Sequence, residues 1–342
     1  MPSQPERWNN DRKENSIHHK ISAAYPKPYS FDPKKPLDLQ QKAIRKRYIE
    51  LLHMTENRMH GVPNIVFEKK DNPFYNEIRF EVETEPGFFV PAHMLIPKEL
   101  KSGEKLPAVI CLQGHSTGMH ISLGRKKFPN DSCDGDRDFA IQAVSRGYIA
   151  IAVEQRGMGE LSSTIKNDGP MCYQVVLEAL MCGRTIQGER INDIMCMVDA
   201  LEQFDCVDAD RIAIMGNSGG GTTSYHAAAL EPRIKVVMPC CSFCTYEDSI
   251  LSMFHCSCNY VPGISAEMEM PDLAMLIAPR PLIIINGERD PIFPLEAANR
   301  AFETVKKIYI AAGKPDNCRH IIGDGEHRFY ADDSWPIFER YI

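Results

Sequence analysis

The sequence contains no long apolar segment. No stretch approaches the roughly 18 consecutive apolar residues that identify a membrane-spanning helix. The N-terminal residues MPSQPERWNNDRKENSIHHK also lack the apolar stretch of a secretory signal peptide. We therefore expect a cytoplasmic protein with no membrane partner.

Basic runs are absent as well. Lys and Arg together number 39 against 46 Asp and Glu residues, which gives a formal net charge of −7. Proteins that bind nucleic acids usually present a cluster of Lys and Arg side chains to the phosphates. The sequence therefore predicts no nucleic-acid partner.

The 12 cysteines show none of the spacings of a small disulfide scaffold, and several lie in apolar patterns, where we expect reduced, buried thiols. Cys241 and Cys244 could form a zinc cluster with His255, Cys256 and Cys258. However, the second spacing is not that of a zinc knuckle, and the first pair begins inside a buried strand. The sequence therefore predicts no metal site and no cofactor.

The composition is that of a soluble globular protein, with 43% hydrophobic and 25% charged residues. Residues 1–36 are polar and rich in proline, which predicts an irregular, loosely docked arm, and residues 37–54 have helical spacing. We expect an N-terminal arm and helix over 1–75 and one catalytic domain over 76–342.

The catalytic domain begins with two β-rich runs, 76–84 and 88–97, whose pattern predicts a hairpin. Short apolar runs, typical of strands buried on both faces, follow at 107–114, 148–155, 211–218, 235–241, 281–287 and 318–324. Helical patterns lie at 137–146, 172–204 with a break near Gly188, 219–230, 295–312 and 333–342. This alternation predicts an α/β fold with a mainly parallel twisted sheet, helices on both faces and a small cap insertion.

The sharpest motif is GNSGG at 216–220, where an apolar strand pattern ends and a helical pattern begins. A tight strand-to-helix turn with small neighbours exposes a serine hydroxyl above the sheet, which makes Ser218 the candidate nucleophile. A dinucleotide-binding turn would need glycine at this position, and a P-loop would need a Gly-Lys-Ser/Thr ending. A glycine-rich turn with an incidental serine is the remaining alternative.

A nucleophilic serine needs an oriented base, and the fold predicts an acid and then a histidine after later strands. Asp290 follows the strand pattern at 281–287 and is the preferred acid, with Glu288 as its alternative. His327 follows the last strand pattern and is the candidate base. His320 lies within that strand and is interpreted as structural.

Acyl transfer also needs hydrogen-bond donors aimed at the developing oxyanion. One donor should be the backbone NH of Gly219, directly after the nucleophile. The second should come from the loop after the strand at 107–114, where Gly114 precedes His115. We expect the backbone NH of His115 to be that donor.

Residues 76–342 resemble the α/β-hydrolase superfamily and, within it, the acetylxylan esterase and dienelactone hydrolase-like branch. Besides the three loops, the resemblance rests on EQRGMGE (154–160), GRTIQGERINDIMCMVDAL (183–201) and HCSCNYVPG (255–263). It implies a triad of Ser218, Asp290 and His327. It also implies that Arg156 and Gly157 lie in a loop that supports the site.

Two positions depart from carbohydrate deacetylases of this branch. Met158 replaces the glutamine of an Arg-Gly-Gln pattern, and Arg328 follows the histidine in place of a glutamate. Dienelactone hydrolases use a cysteine nucleophile, whereas this chain has Ser218.

The expected function is that of a serine esterase of the acetylxylan type acting on a small-molecule or oligosaccharide ester. A serine peptidase of the prolyl-oligopeptidase kind and a non-catalytic binding module with the same fold are alternatives. The sequence does not fix the oligomeric state, so a homo-oligomer stays open.

Overall fold

The computed structural model describes residues 14–54, 58–162 and 172–342. These ranges contain one nine-stranded sheet. The strands are β1 (Pro63–Lys69), β2 (Tyr75–Glu85), β3 (Phe88–Pro97), β4 (Leu106–Leu112), β5 (Ile149–Val153), β6 (Val207–Asn217), β7 (Ile234–Cys240), β8 (Leu282–Gly287) and β9 (Cys318–Gly323). The helices are α1 (Glu14–Ala24), α2 (Leu37–Leu51), α3 (Phe139–Val144), α4 (Cys172–Met181), α5 (Ile186–Leu201), α6 (Gly219–Leu230), α7 (Ile264–Glu267), α8 (Ala274–Ile277), α9 (Leu295–Ala311) and α10 (Ala331–Phe338).

The strand order is β1-β2-β3-β5-β4-β6-β7-β8-β9. Pairing is antiparallel from β1 through β3 to β5 and parallel from β5 to β9. The chain runs from β4 to β5 on one side and then crosses to β6 on the other side of β4. Ligand sites in open α/β sheets lie beyond the carboxyl ends of the strands at such a switch point.

Strand β4 has apolar side chains on both faces because helices cover both sides of the sheet. Ala108, Ile110 and Leu112 belong to the core beneath α2, α5, α6 and α9. Val109 and Cys111 belong to the opposite core, which α3 and α10 cover. This two-sided burial explains the continuous apolar run in the sequence and confirms the predicted mainly parallel sheet with helices on both faces.

Helix α2 docks on the helix that follows the candidate nucleophile. The hydroxyl of Tyr48, a fully buried residue, is hydrogen bonded to Nδ1 of His226 in α6. Arg45 Nη2 donates to the carbonyl of Leu230 at 3.1 Å, and Gln41 Nε2 donates to the carbonyl of Met275 in α8 at 2.7 Å. These contacts of α2 therefore hold α6 in place.

The segment between β7 and β8 is short, as the predicted small cap insertion requires. It contains the helices α7 and α8, each of four residues, and two 3-10 turns at Ser257–Asn259 and Met270–Leu273. This segment leaves no room for a large lid domain.

Three local predictions differ from the structure. Helix α1 lies in the arm that was predicted to be irregular. Strand β1, which was not predicted, pairs antiparallel with β2, so the sheet begins before residue 76. The division into 1–75 and 76–342 stays a prediction. The helical break lies between α4 and α5, where Gly183 has φ +70°, rather than at Gly188.

Gly188 lies in the first turn of α5, where its lack of a side chain serves packing. A Cβ atom on Gly188 would lie 2.4 Å from the carbonyl oxygen of Leu52, just beyond α2. The N-cap of α5 is Thr185, whose hydroxyl accepts a hydrogen bond from the NH of Gly188. Close helix approach, not a helix break, therefore accounts for this glycine.

Among the described helices, none has both the length and the apolar character required to cross a bilayer.

Candidate active site

Ser218 lies on the turn between β6 and α6 with φ +54° and ψ −122°. A non-glycine residue seldom adopts this backbone conformation, which is typical of the strained turn that exposes a nucleophile. The turn is fixed because the NH of Ser218 donates to the carbonyl of Cys240, the last residue of β7, at 2.8 Å. The predicted strand-to-helix setting of this serine is therefore present.

The glycines around Ser218 are required by close backbone packing. A Cβ atom on Gly216 would lie 2.4 Å from the carbonyl oxygen of Gly220. A Cβ atom on Gly220 would lie 2.2 Å from the carbonyl oxygen of Leu112 at the end of β4. Any larger residue at either position would push the turn away from the sheet.

Asp290 and His327 form a hydrogen-bonded pair at the same edge of the sheet. Nδ1 of His327 lies 2.8 Å from Oδ2 of Asp290, whose side chain is fully buried. The other carboxylate oxygen accepts hydrogen bonds from the backbone NH groups of Ile292 and Phe293 at 3.0 and 3.1 Å. With Nδ1 as the donor to Asp290, Nε2 is free to accept a proton, and it has no protein partner within the described ranges.

The environment of Asp290 favours its ionised form. Burial raises the pKa of this carboxyl, but the hydrogen bond and charge of His327 and the two backbone NH groups outweigh burial. The net effect is a pKa below the ordinary value for aspartic acid. Asp290 is therefore a carboxylate at neutral pH, as an acid that orients an imidazole should be.

Aromatic packing fixes the imidazole of His327. The ring of Phe293 stacks on it, with centroids 5.9 Å apart and planes at 14°. The ring of His255 packs edge-on against Phe293, with centroids 5.2 Å apart, and its Nε2 lies 3.0 Å from the hydroxyl of Ser249. Phe293 was not predicted from the sequence, although its position just after Asp290 and Pro291 is a signal that it belongs to the acid loop.

The two rejected residues occupy other environments. Glu288 is exposed and forms an ion pair with Arg289 at 3.0 Å. His320 lies within β9, with Nε2 3.0 Å from the side-chain oxygen of Asn286 and its ring against Phe302. Both arrangements fit the interpretation of Asp290 and His327 as the paired acid and base.

The loop after β4 contacts the serine turn directly. A Cβ atom on Gly114 would lie 3.0 Å from Cβ of Ser218, so only glycine permits this approach. The ring of His115 lies over Gly219. A Cβ atom added to Gly219 would lie only 2.6 Å from Cε1 of that ring. The loop predicted to supply the second oxyanion donor is therefore beside the nucleophile.

Arg156 is occupied by ion pairs rather than directed at the serine. Its guanidinium contacts Asp193 at 2.7 Å, Glu189 at 3.1 Å and Glu85 at 2.5 Å, and it lies over the ring of Phe88. These contacts join α5 to the β2–β3 hairpin. A supporting role in holding the loop after β5 fits this geometry.

Gly157 has φ +80° and lies against α4. A Cβ atom on it would lie 2.9 Å from Val175 and 3.3 Å from Cα of Cys172. This glycine therefore allows the start of α4, and with it the thiol of Cys172, to approach the site.

Glu154 is a buried carboxyl at the end of β5 that ties two loops together. It accepts backbone hydrogen bonds from Met119 at 3.1 Å and from Glu160 at 3.1 Å. Burial raises the pKa of Glu154 to about 7. This residue joins the loop after β5 to the segment that follows the loop containing His115.

The cysteines group differently from the zinc cluster considered from the sequence. Cys244 contacts the carbonyl of Pro294, and the thiol of Cys241 lies within 4.8 Å of the ligand atoms of Asp290 and His327. Cys256 and Cys258 instead meet two groups that the sequence did not connect with them, the side chains of Cys172 and His115. This second group brings together three thiols and one imidazole.

Comparison with known proteins places this geometry in a family. The model of the Abhydrolase family matches residues 15–333. A protein of Bacillus subtilis (strain 168) named "Putative hydrolase YtaP" is 25% identical over 294 residues, which cover 83% of this chain and 93% of that protein.

Solved structures share the fold. A "putative acetyl xylan esterase" from Bacteroides fragilis NCTC 9343 has a TM-score of 0.78 at 20% identity, over 95% of this chain and 83% of that chain. A glucuronoyl esterase from Solibacter usitatus has a TM-score of 0.64 at 15% identity, over 93% of this chain and 96% of that chain. Because the family model spans most of the sequence, the chain belongs to the Abhydrolase family, and the predicted resemblance to the α/β-hydrolases is confirmed.

Proposed function

We propose that the protein is a serine esterase that deacetylates carbohydrate esters of the acetylxylan type. The observation that carries the proposal is the 2.8 Å contact between Asp290 and His327, at the sheet edge where Ser218 occupies its strained turn. An oriented imidazole at the same sheet edge as a serine on a strained turn supplies the groups that acyl transfer uses, although Nε2 of His327 forms no hydrogen bond with Ser218 in this structure.

Ser218 begins the reaction. Its Oγ attacks the ester carbonyl carbon while Nε2 of His327 accepts the hydroxyl proton. Asp290 keeps the imidazole in the tautomer that leaves Nε2 free, and it stabilises the imidazolium once the proton has transferred. Stacking of Phe293 on the ring limits its rotation during these steps.

The carbonyl oxygen becomes an anion as the new bond forms. The backbone NH groups of Gly219 and His115 bind this oxyanion in our proposal, and the contact of Gly114 with Ser218 supports it by holding the second NH close. His327 then protonates the leaving alcohol. Water subsequently attacks the acyl-enzyme, with His327 again accepting a proton.

The substrate class rests on two kinds of support. Structural neighbours of this chain include one protein named as a "putative acetyl xylan esterase" and others named as glucuronoyl esterases. The insertion between β7 and β8 is also short, which favours a site that can admit a bulky alcohol. Ester and alcohol recognition would then depend on the loops around this edge of the sheet.

Covalent labelling tests the nucleophile. A fluorophosphonate probe should label the wild-type protein, and Ser218→Ala should abolish labelling. Ser242→Ala is the matched control, because it removes a buried hydroxyl from the neighbouring strand end and should leave labelling intact. Labelling that survives Ser218→Ala would refute the assignment, and an unlabelled wild type would favour a non-catalytic binding module.

Substrate assays test the finer proposal. Acetate release from acetylated xylo-oligosaccharides and from cephalosporin C is expected, together with turnover of p-nitrophenyl acetate. Turnover of the p-nitrophenyl ester without acetate release from either acetylated compound would exclude the carbohydrate substrate. Cleavage of proline-containing peptide amides would identify a peptidase instead.

A further inference from the structure

Four potential metal ligands converge beside the serine turn. They are the imidazole of His115 and the thiols of Cys172, Cys256 and Cys258, whose donor atoms all lie within 4.8 Å of one another. Nε2 of His115 lies 3.0 Å from Sγ of Cys258, and the sulfur atoms of Cys256 and Cys258 lie 3.5 Å apart. The group combines three separate parts of the chain.

The fold creates this convergence. His115 belongs to the loop after β4, Cys172 begins α4, and Cys256 and Cys258 flank the start of the 3-10 turn in the cap insertion. Cys172 and Cys258 are fully buried, whereas His115 and Cys256 are half-buried. The cluster therefore joins the loop beside Ser218 to the start of α4 and to the cap insertion.

A buried arginine adds an independent observation. Arg190 is 1% exposed, and its Nη2 donates to Sγ of Cys172 at 3.3 Å and to the carbonyl of Arg156 at 2.6 Å. Its Nε and Nη1 have no hydrogen-bond partner among the described residues. The guanidinium of Arg190 is therefore buried against the thiol of Cys172.

The buried positive charge of Arg190 favours thiolates over neutral thiols as its neighbours. A buried cation is costly unless an anion neutralises it, and a neutral thiol is only a weak hydrogen-bonding group. Three thiolates packed so closely would in turn repel one another, with a total charge of −3 against +1 from Arg190. A divalent cation at the centre of the cluster would bring the sum to zero.

We propose that His115, Cys172, Cys256 and Cys258 bind one Zn²⁺ ion, with Arg190 neutralising the remaining negative charge of the complex. Three thiolates and one imidazole are a standard closed ligand set for tetrahedral zinc. Zinc bonds of about 2.3 Å to sulfur and about 2.0 Å to nitrogen put three sulfur donors and one nitrogen donor roughly 3.5–3.8 Å apart in a tetrahedral site. The contacts in the cluster need only small side-chain rotations to reach this spacing.

The donor types select the metal. Thiolates are poor ligands for Mg²⁺ and Ca²⁺, which prefer oxygen, and favour zinc among the common divalent ions. Binding releases the thiol protons, so the affinity should increase with pH. Because His115 also lies beside Ser218, the ion would hold the loop that carries the second oxyanion donor, a consequence that rests on the proposed function.

Metal analysis of the whole protein tests the site. Reduced protein, stripped of metal and then exposed to equimolar Zn²⁺, should retain one ion per chain after desalting. With Co²⁺ it should develop thiolate-to-cobalt charge-transfer absorption and the visible bands of a tetrahedral site. Cys258→Ser and Cys172→Ser should each weaken zinc affinity more than about 100-fold, since even changes outside the ligand shell cost 10- to 100-fold.

Cys182→Ser is the matched control, because this thiol is exposed just beyond the end of α4 and is not part of the cluster. It should leave zinc binding unchanged. Far-UV circular dichroism reports whether each variant folds, and His115→Asn provides a ligand variant that retains every cysteine. This variant should also lose the tetrahedral cobalt spectrum.

Three results would overturn the proposal. They are a wild type that binds neither metal under reducing conditions, a cobalt spectrum unaffected by Cys172→Ser, and an unreduced protein that has fewer than its 12 titratable thiols through a disulfide in the cluster. None of these measurements uses esterase activity. Failure of the zinc site and failure of the proposed catalytic serine are therefore distinguishable.

Discussion

Asp290 is the residue whose charge decides how His327 presents its proton-accepting nitrogen. Asp290→Asn retains the shape but allows the amide NH₂ to face the imidazole, which favours the wrong tautomer of His327. In a Ser-His-Asp protease this change lowers kcat by about 10⁴-fold. We expect a loss of similar order in kcat for p-nitrophenyl acetate, with little change in KM.

Glu288→Gln is the control for that experiment. Its carboxylate is exposed and paired with Arg289, so kcat should stay within about twofold of the wild type. A larger loss from Glu288→Gln than from Asp290→Asn would reverse the assignment of the acid.

Gly114 determines how closely the oxyanion loop approaches the nucleophile. Gly114→Ala would introduce a methyl group 2.9 Å from the carbonyl oxygen of Asn217 and 3.0 Å from Cβ of Ser218. The loop must then move, and loss of one oxyanion donor costs about 10²–10³-fold in kcat. Steady-state kinetics should show this loss in kcat while the fluorophosphonate probe still labels Ser218.

Gly103→Ala separates the effect of backbone strain from the effect on the site. Gly103 has φ +82°, and a Cβ atom added to it would have nothing within 4 Å, so alanine there should cost about 1–2 kcal/mol of stability and leave kcat unchanged. Equal kcat values for Gly114→Ala and the wild type would contradict the role assigned to the loop.

The candidate site was largely predictable at the level of single residues, because the order serine, acid, histidine follows from the ends of three strands. The position of Phe293 and the contacts of Arg156 were not, since each depends on elements that pack together only in the folded chain. Cys172 was not linked to Cys256 and Cys258 for the same reason. Sequence spacing carries no signal for ligands that distant loops supply.

At the scale of elements, an ion-pair network joins α5 to the β2–β3 hairpin. Arg156→Met would leave the buried carboxylate of Asp193 without its ion-pair partner, while Glu189 would keep its ion pair with Arg184. Removing one member of a buried ion pair typically costs about 3–5 kcal/mol. Urea unfolding should show a loss of this size in the free energy of unfolding.

Arg184→Met is the matched comparison, because Arg184 pairs with Glu85 and Glu189 from a side chain that is 39% exposed. Its loss should cost no more than about 1 kcal/mol. Similar costs for the two variants would mean that burial does not set the strength of this network.

The strands and helices that could be predicted are those with a buried face. Strand β1 was missed because most of its residues are exposed at the sheet edge, including Ile65 and Val66, so its sequence shows no alternation. Gly188 was misinterpreted because a glycine needed for close helix packing and a glycine that ends a helix look alike in a sequence. Only the neighbouring carbonyl of Leu52 distinguishes them.

For the whole molecule, Glu154 should make stability depend on pH. Burial raises its pKa from 4.5 to about 7, so the native state favours the protonated form. The contribution of protonated Glu154 to the free energy of unfolding is therefore fully present below pH 4.5, and it is lost as the pH rises through about 7. Relative to Glu154→Gln, the wild-type free energy of unfolding should fall by about 3 kcal/mol over this window.

Urea unfolding at several pH values measures this difference. Glu296→Gln is the control, because it removes a carboxylate whose side chain is 91% exposed. An equally steep pH dependence for Glu296→Gln, or a flat difference for Glu154→Gln, would show that burial of Glu154 is not the cause.

The docking of α2 on α6 has a consequence for synthesis. Tyr48 and His226 are 178 positions apart, and Gln41 is 237 positions from its acceptor Ala278. The ribosome therefore delivers α2, with its apolar residues Ile44 and Leu51, long before its docking surface exists. Docking of α2 onto α6 and α8 must therefore be a late step of folding. Until that step, the apolar face of α2 is exposed on the nascent chain, where it can bind chaperones or aggregate.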